Sequence, residues 1–78
     1  MVLKEDDIRR VIAEVVRNVD ATQLSADCEF ADSNIDSLDH WSILLALQEQ
    51  FGLVVPDEDL EQTTSIEKIL TYAAGQKA

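Results

Sequence analysis

The 78 residues carry 16 acidic side chains against 6 basic ones, a formal net charge of −10 at neutral pH. Such a field repels nucleic acid and anionic membranes and favours basic partner surfaces. A chain this short buries only about 60% of the surface it exposes when unfolded, which allows one modest core and no deep substrate cavity. Residues 1–78 are therefore expected to form a single domain.

Hydrophobic residues nevertheless make up 46% of the chain, and they fall in periodic runs. That excludes a disordered acidic tail. Trp41, Tyr72, Phe30 and Phe51 are the only aromatic residues, so Leu, Ile and Val must supply most of the core. Cys28 is the sole cysteine, which excludes an intrachain disulfide and a cysteine-based zinc site. The opening Met1-Val2-Leu3-Lys4-Glu5-Asp6-Asp7 lacks the apolar stretch of a signal peptide. No run approaches the roughly 20 apolar residues that span a bilayer. These features predict a cytoplasmic domain that does not insert into membranes.

The first predicted helix carries Ile8, Val11, Ile12, Val15, Val16 and Val19 on one stripe. Glu5, Asp6 and Asp7 in its first turn and Arg17 near its end suit the helix dipole. Glu5 with Arg9, and Asp6 with Arg10, are i, i+4 pairs. Its β-branched valines lower helix propensity, so packing must hold it. Residues 20–36 lack a helical stripe and read as a long loop, with room for one short turn, and with single apolar anchors at Leu24, Phe30 and Ile35. A loop of this length in a small domain is usually functional or well packed.

A second helix is predicted from Ser37 to Phe51, with Asp36 as N-cap, Asp39 three residues later, and Gly52 as the stop. Pro56 and the acids Asp57, Glu58 and Asp59 open a short turn or helix near Leu60. The last helix is predicted to start at a capping box made by Thr64 and Glu67. Its stripe is Ile66, Ile69, Leu70 and Ala73, and Gly75 ends it. The sum is an all-α fold, a small bundle of three longer helices plus one short helix.

The second helix is apolar on more than one face. Ile43, Leu44, Leu47 and Phe51 form one set. Leu38, Trp41 and Leu45 form another, at i, i+3 and i+7. A small bundle rarely buries both, so the second set reads either as a wider core contact or as an exposed ridge that docks partners. A tryptophan in such a ridge is an anchor candidate.

The segment Asp36-Ser37-Leu38-Asp39 opens this helix. After it come Leu47-Gln48-Glu49-Gln50-Phe51-Gly52 and Val55-Pro56-Asp57-Glu58-Asp59. In that order, over nearly the whole chain, these segments resemble the acyl carrier proteins: the D-S-L motif, an apolar helix, and an I-P-D-E-like segment. The resemblance implies an acyl-carrier-like bundle whose Ser37 receives 4′-phosphopantetheine from coenzyme A. It implies a carrier rather than an enzyme, with acyl groups held as thioesters on the arm. The implied partners are a phosphopantetheinyl transferase and acyl-transferring or acyl-modifying enzymes with basic or apolar docking surfaces, met by a monomer. Asp36, Leu38, Asp39, Trp41, Leu45 and Glu49 are the implied partner-binding residues. The local physics agrees, since the positive end of a helix dipole and its unsatisfied N–H groups favour a phosphodiester. As a structural alternative, Ser37 or Asp36 serves only as a cap.

Three departures from the family pattern stand out. Ser33-Asn34 replaces the usual L-G before the motif, and Asn is the next best residue after Gly for a left-handed backbone. Phe30 lies one residue closer to the serine than the family's aromatic. Ser42, Gln48 and Gln50 stand where fatty-acid carriers tend to have glutamates, which points to a specialised fatty-acid, lipid or polyketide pathway.

Other readings fit less well. Asp32, Asn34 and Asp36 match the opening of an EF-hand, but Ser37 and Ile43 occupy the positions that need Gly and Glu. A hydrolase would need Ser37, His40 and Asp39 as a triad, yet all three lie within one helical turn. His40 reads instead as a solvated helix residue, and Cys28 as a small loop or core residue. A carrier-fold interaction module without a prosthetic group is the rival of a different class. A peptidyl carrier would show L-G-G-x-S-L, which Asn34-Ile35-Asp36-Ser37 does not match.

Overall fold

A computed structural model describes residues 3–17 and 19–75. Three α-helices, α1 (Glu5–Val15), α2 (Ser37–Phe51) and α3 (Ile66–Gly75), are joined through three 3-10 turns, two between α1 and α2 and one between α2 and α3. The turns are η1 (Ala21–Gln23), η2 (Phe30–Ser33) and η3 (Asp57–Thr63). Among the described residues there is no strand, and the fold is the all-helical bundle expected.

The core sits where the helical stripes meet. Ile8, Val11 and Ile12 of α1 face Ile43, Leu44 and Leu47 of α2 and Ile66 and Ile69 of α3, all buried. Each such side chain, fully buried, is worth roughly 1.5–3 kcal/mol. Leu24, Phe30 and Ile35, the three anchors expected in the long loop, are buried as well. They lash residues 20–36 to the bundle.

α1 ends earlier than its apolar period. Val16 is extended (φ −115°, ψ 99°) although buried, and Val19 still packs against the core. β-branched residues have lower helix propensity and favour extended backbone, so the valine run leaves the helix readily. Arg17 therefore lies beyond the helix, and no basic residue occupies its last turn. Glu5 pairs with Arg9 as expected, at 2.6 Å, but Arg10 pairs with Asp7 at 3.7 Å rather than with Asp6.

Arg9 also fixes the loop. Its Nη1 donates to the backbone carbonyls of Ala21 (2.6 Å) and Leu24. The loop's far end is tied to the start of α3. Phe30 N donates to Thr64 O at 2.7 Å, and Glu67 N donates to Ala26 O at 2.9 Å. Glu29 accepts from Thr64 Oγ1 at 3.0 Å and from Lys68 Nζ at 3.1 Å. The Lys68 and then the Thr64 hydrogen bond hold its carboxyl below the usual range.

That network moves the cap of α3 by one residue. Ser65 Oγ, not Thr64, accepts from the backbone of Lys68 at 3.1 Å. Thr64 does not cap, because the Glu67 N–H that it would receive donates to Ala26 O instead.

Candidate functional site

The approach to α2 is set by three residues. Asn34 adopts the left-handed conformation (φ 65°, ψ 23°) that ends η2. It is the only non-glycine residue with positive φ among those described. A short polar side chain tolerates that region better than other side chains do. Ile35 is then buried, which pins the chain to the core. Asp36 follows as N-cap, its Oδ1 accepting from Asp39 N at 2.8 Å. The capping carboxylate is thus committed to the helix. Asn34 and Asp36 are both used by the turn, and no group of acidic, histidine or cysteine side chains that could hold a metal occurs among the described residues.

Ser37 is the first residue of α2 and is exposed. Its primary alcohol stands at the positive end of a helix of 15 residues. An accessible hydroxyl beside a helix N-terminus fits a phosphodiester, because the dipole and the first-turn N–H groups favour negative charge there. The far end of the helix closes at Gly52, whose φ of 74° no β-carbon would accept without strain.

The two apolar sets of α2 part company. Ile43, Leu44 and Leu47 are buried and Phe51 packs against them. Leu38 is 75% exposed and Leu45 42% exposed. Trp41 is half-buried and lies outside the core cluster. Leu38, Trp41, Leu45 and Glu49, spaced three or four apart, form one side of the helix. Asp39 is half-buried in its first turn, Asp36 is exposed beside Ser37, and Glu49 is exposed toward the far end.

His40 overturns the expectation of a solvated residue. It is only 6% exposed. Its Nε2 lies 2.7 Å from Thr63 O and 3.2 Å from Thr63 Oγ1. Burial, opposed by the Thr63 carbonyl, pushes its pKa below the ordinary imidazole value. No local pattern signals this, since Thr63 lies 23 residues away. The ring is turned to Thr63, which also removes the base from the hydrolase reading. Cys28 is half-buried, with Sγ 3.3 Å from Ser33 Oγ.

Comparison with known proteins extends over this whole arrangement. The family described as "Phosphopantetheine attachment site" matches residues 6–73, which include the whole of α2 and most of α1 and α3. An acyl carrier protein of Helicobacter pylori (strain G27) is 40% identical over 73 residues, covering 92% of each chain. That of Helicobacter acinonychis (strain Sheeba) is 38% identical over the same share. With both matches running nearly end to end, the chain belongs to the acyl carrier proteins, the phosphopantetheine-attachment family whose covalent group is 4′-phosphopantetheine.

Proposed function

We propose that Ser37 is the residue that bears the group, and that the chain is a shuttle rather than an enzyme. The observation that carries this is the placement of Ser37: exposed, first in α2, behind a left-handed Asn34 and a capping Asp36. On transfer, Ser37 Oγ forms a phosphoester bond and the pyrophosphate bond of coenzyme A breaks. The adenosine bisphosphate leaves and the hydroxyl proton passes to the transferase. The bound group supplies a terminal thiol that holds acyl cargo as a thioester. Asp36 and Asp39 fix the first turn from which the arm projects.

Leu38, Trp41 and Leu45 supply the apolar part of the docking surface, and Asp36, Asp39 and Glu49 its charge. Ser42, Gln48 and Gln50 are neutral, so contact with partners leans on the apolar ridge more than on ion pairs. That balance supports service to a specialised fatty-acid, lipid or polyketide pathway. In this reading the chain works as a cytoplasmic monomer that visits its transferase and its acyl-handling enzymes in turn.

Intact mass after incubation with coenzyme A and a broad-specificity phosphopantetheinyl transferase tests the proposal. One phosphopantetheinyl group is expected, and Ser37→Ala abolishes the gain. Modification at Ser25, Ser33 or Ser42 overturns the assignment. Failure of transfer by every competent transferase favours an interaction module without a prosthetic group.

A further inference from the structure

His40 is the one histidine of the chain, and neither attachment nor docking uses its ring. A carbonyl only accepts, so the 2.7 Å contact with Thr63 O means that Nε2 carries the hydrogen and donates. Thr63 Oγ1 donates in turn to Leu60 O at 2.9 Å, which leaves its lone pairs for the ring. Phe30 meets the imidazole edge to face, with ring centroids 5.3 Å apart and planes at 70°. Phe30 starts η2, Thr63 ends η3, and His40 lies in the opening turns of α2. One ring joins three segments that arrive from separate stretches of chain. Ser37 and His40 stand at i and i+3, neighbours on the helix surface.

We propose that the His40 ring is an acid-sensitive latch, which holds the opening turns of α2, and with them Ser37, in position for the enzymes that act there. The positioning part rests on Ser37 as the attachment residue. The neutral ring suits its surroundings: its one donor meets the Thr63 oxygens, and Phe30 lies edge to face against it. The added proton goes to Nδ1, the nitrogen that Thr63 does not engage, and places a cation among buried groups.

Among the described residues no carboxylate is paired with the ring. On η2 and the residue before it, Asp32 is exposed and Glu29 is held by Thr64 and Lys68. On η3, Asp59 accepts from Tyr72 and Gln62, while Asp57, Glu58 and Glu61 are exposed. At the start of α3, Glu67 and Lys68 are exposed. On α2 itself Asp36 caps the helix, and Asp39 lies on the turn beside the ring. Burial and the Thr63 carbonyl are the influences on the imidazole, burial being the larger, and it lowers the pKa. As pH falls, the unfolded chain takes up this proton first. Stability held above about pH 6.5 is lost below it, down through the lowered folded value.

The test compares the full-length wild type with His40→Gln and His40→Leu between about pH 7.5 and about pH 5.5, the range in which imidazole titrates. A glutamine amide still donates to Thr63 but does not titrate. Nitrogen NMR of the lone histidine should show the Nε2–H tautomer and a midpoint below about 6.5. As pH falls, the wild type should melt progressively earlier relative to His40→Gln. His40→Leu, which cannot donate, should be less stable than His40→Gln at every pH. The rate of phosphopantetheinyl transfer to wild type, divided by that to His40→Gln with the same transferase, should fall several-fold, the transferase's own pH profile cancelling.

A midpoint at or above about 6.5, or equal pH slopes of melting for wild type and His40→Gln, overturns the latch. Differing slopes with a flat transfer ratio overturn the positioning of Ser37. Absence of transfer to either protein at any pH counts against Ser37 as attachment residue, while the NMR and melting results still decide the latch. The ring titration needs no variant, so it decides the latch even where a variant fails to fold.

Discussion

Arg9 shows how much a single side chain does in so small a domain. Its Nε and Nη2 engage Glu5, and its Nη1 reaches two carbonyls of the loop, Ala21 and Leu24. A planar fork with several donors serves both directions at once, and a lysine cannot. Arg9→Lys should therefore destabilise the fold by about 1–3 kcal/mol, the scale of charge-assisted hydrogen bonds, measured as a lower urea midpoint at unchanged slope. Among single residues, the sequence makes some roles plain and hides others. Asn34 and Asp36 are readable because their conformations are demanded locally, by a left-handed turn and by an open helix end. The burial of His40 and the cap at Ser65 are not. Thr63 decides the first and Ala26, which takes the N–H of Glu67, the second, and only the folded chain brings those residues alongside.

At the scale of the element, α2 is the best marked in the sequence. Its cap at Asp36, its stop at Gly52 and its two apolar sets agree, and the helix observed is Ser37–Phe51. The end of α1 is less visible, because the valines continue their inward period past Val15. The 3-10 turns η1 and η2 lie inside a stretch without periodicity, where the sequence points to the loop's apolar anchors and to one short turn but not to two. The division of α2 into a buried and an exposed set makes its own prediction. Ile43→Ala should cost about 2–5 kcal/mol of stability, since it opens a cavity in the core. Trp41→Ala should leave the circular dichroism spectrum intact and weaken a cognate partner by about 2 kcal/mol or more, the loss typical of a binding hot spot. A folded Trp41→Ala protein that serves every partner normally would remove Trp41 from the proposed docking surface.

Across the whole molecule the charge is unevenly spread. Residues 18–67 contain 12 acidic side chains and no lysine or arginine, so every basic residue lies before or after that stretch. Self-repulsion among like charges opposes the compact state. The melting temperature should rise with added salt, and with millimolar divalent cations in a broad, weakly saturating way. A tight, stoichiometric calcium titration would contradict this. Acid acts in two stages. Below about pH 6.5 the unfolded chain protonates its histidine and gains on the folded one. At lower pH, Asp20, held down by the hydroxyl and amide of Thr22, and Glu29, held down by Lys68 and Thr64, must be protonated. Their contribution is present above the ordinary carboxylate pKa and is lost as pH falls through the lowered values. Both groups are screened by water, so this second stage is shallow.

The place of the single tryptophan has a consequence of another kind. Trp41 is the only indole in the chain, four residues beyond Ser37 and outside the packed core. Half-buried there, its ring reports on the first turns of α2 rather than on the core cluster. Whatever settles against that end, an acyl arm or an enzyme surface, displaces water from the ring and moves the light it emits toward the blue. The protein thus carries its own fluorophore four residues from Ser37, and the loading and docking proposed for that end can be followed without a label.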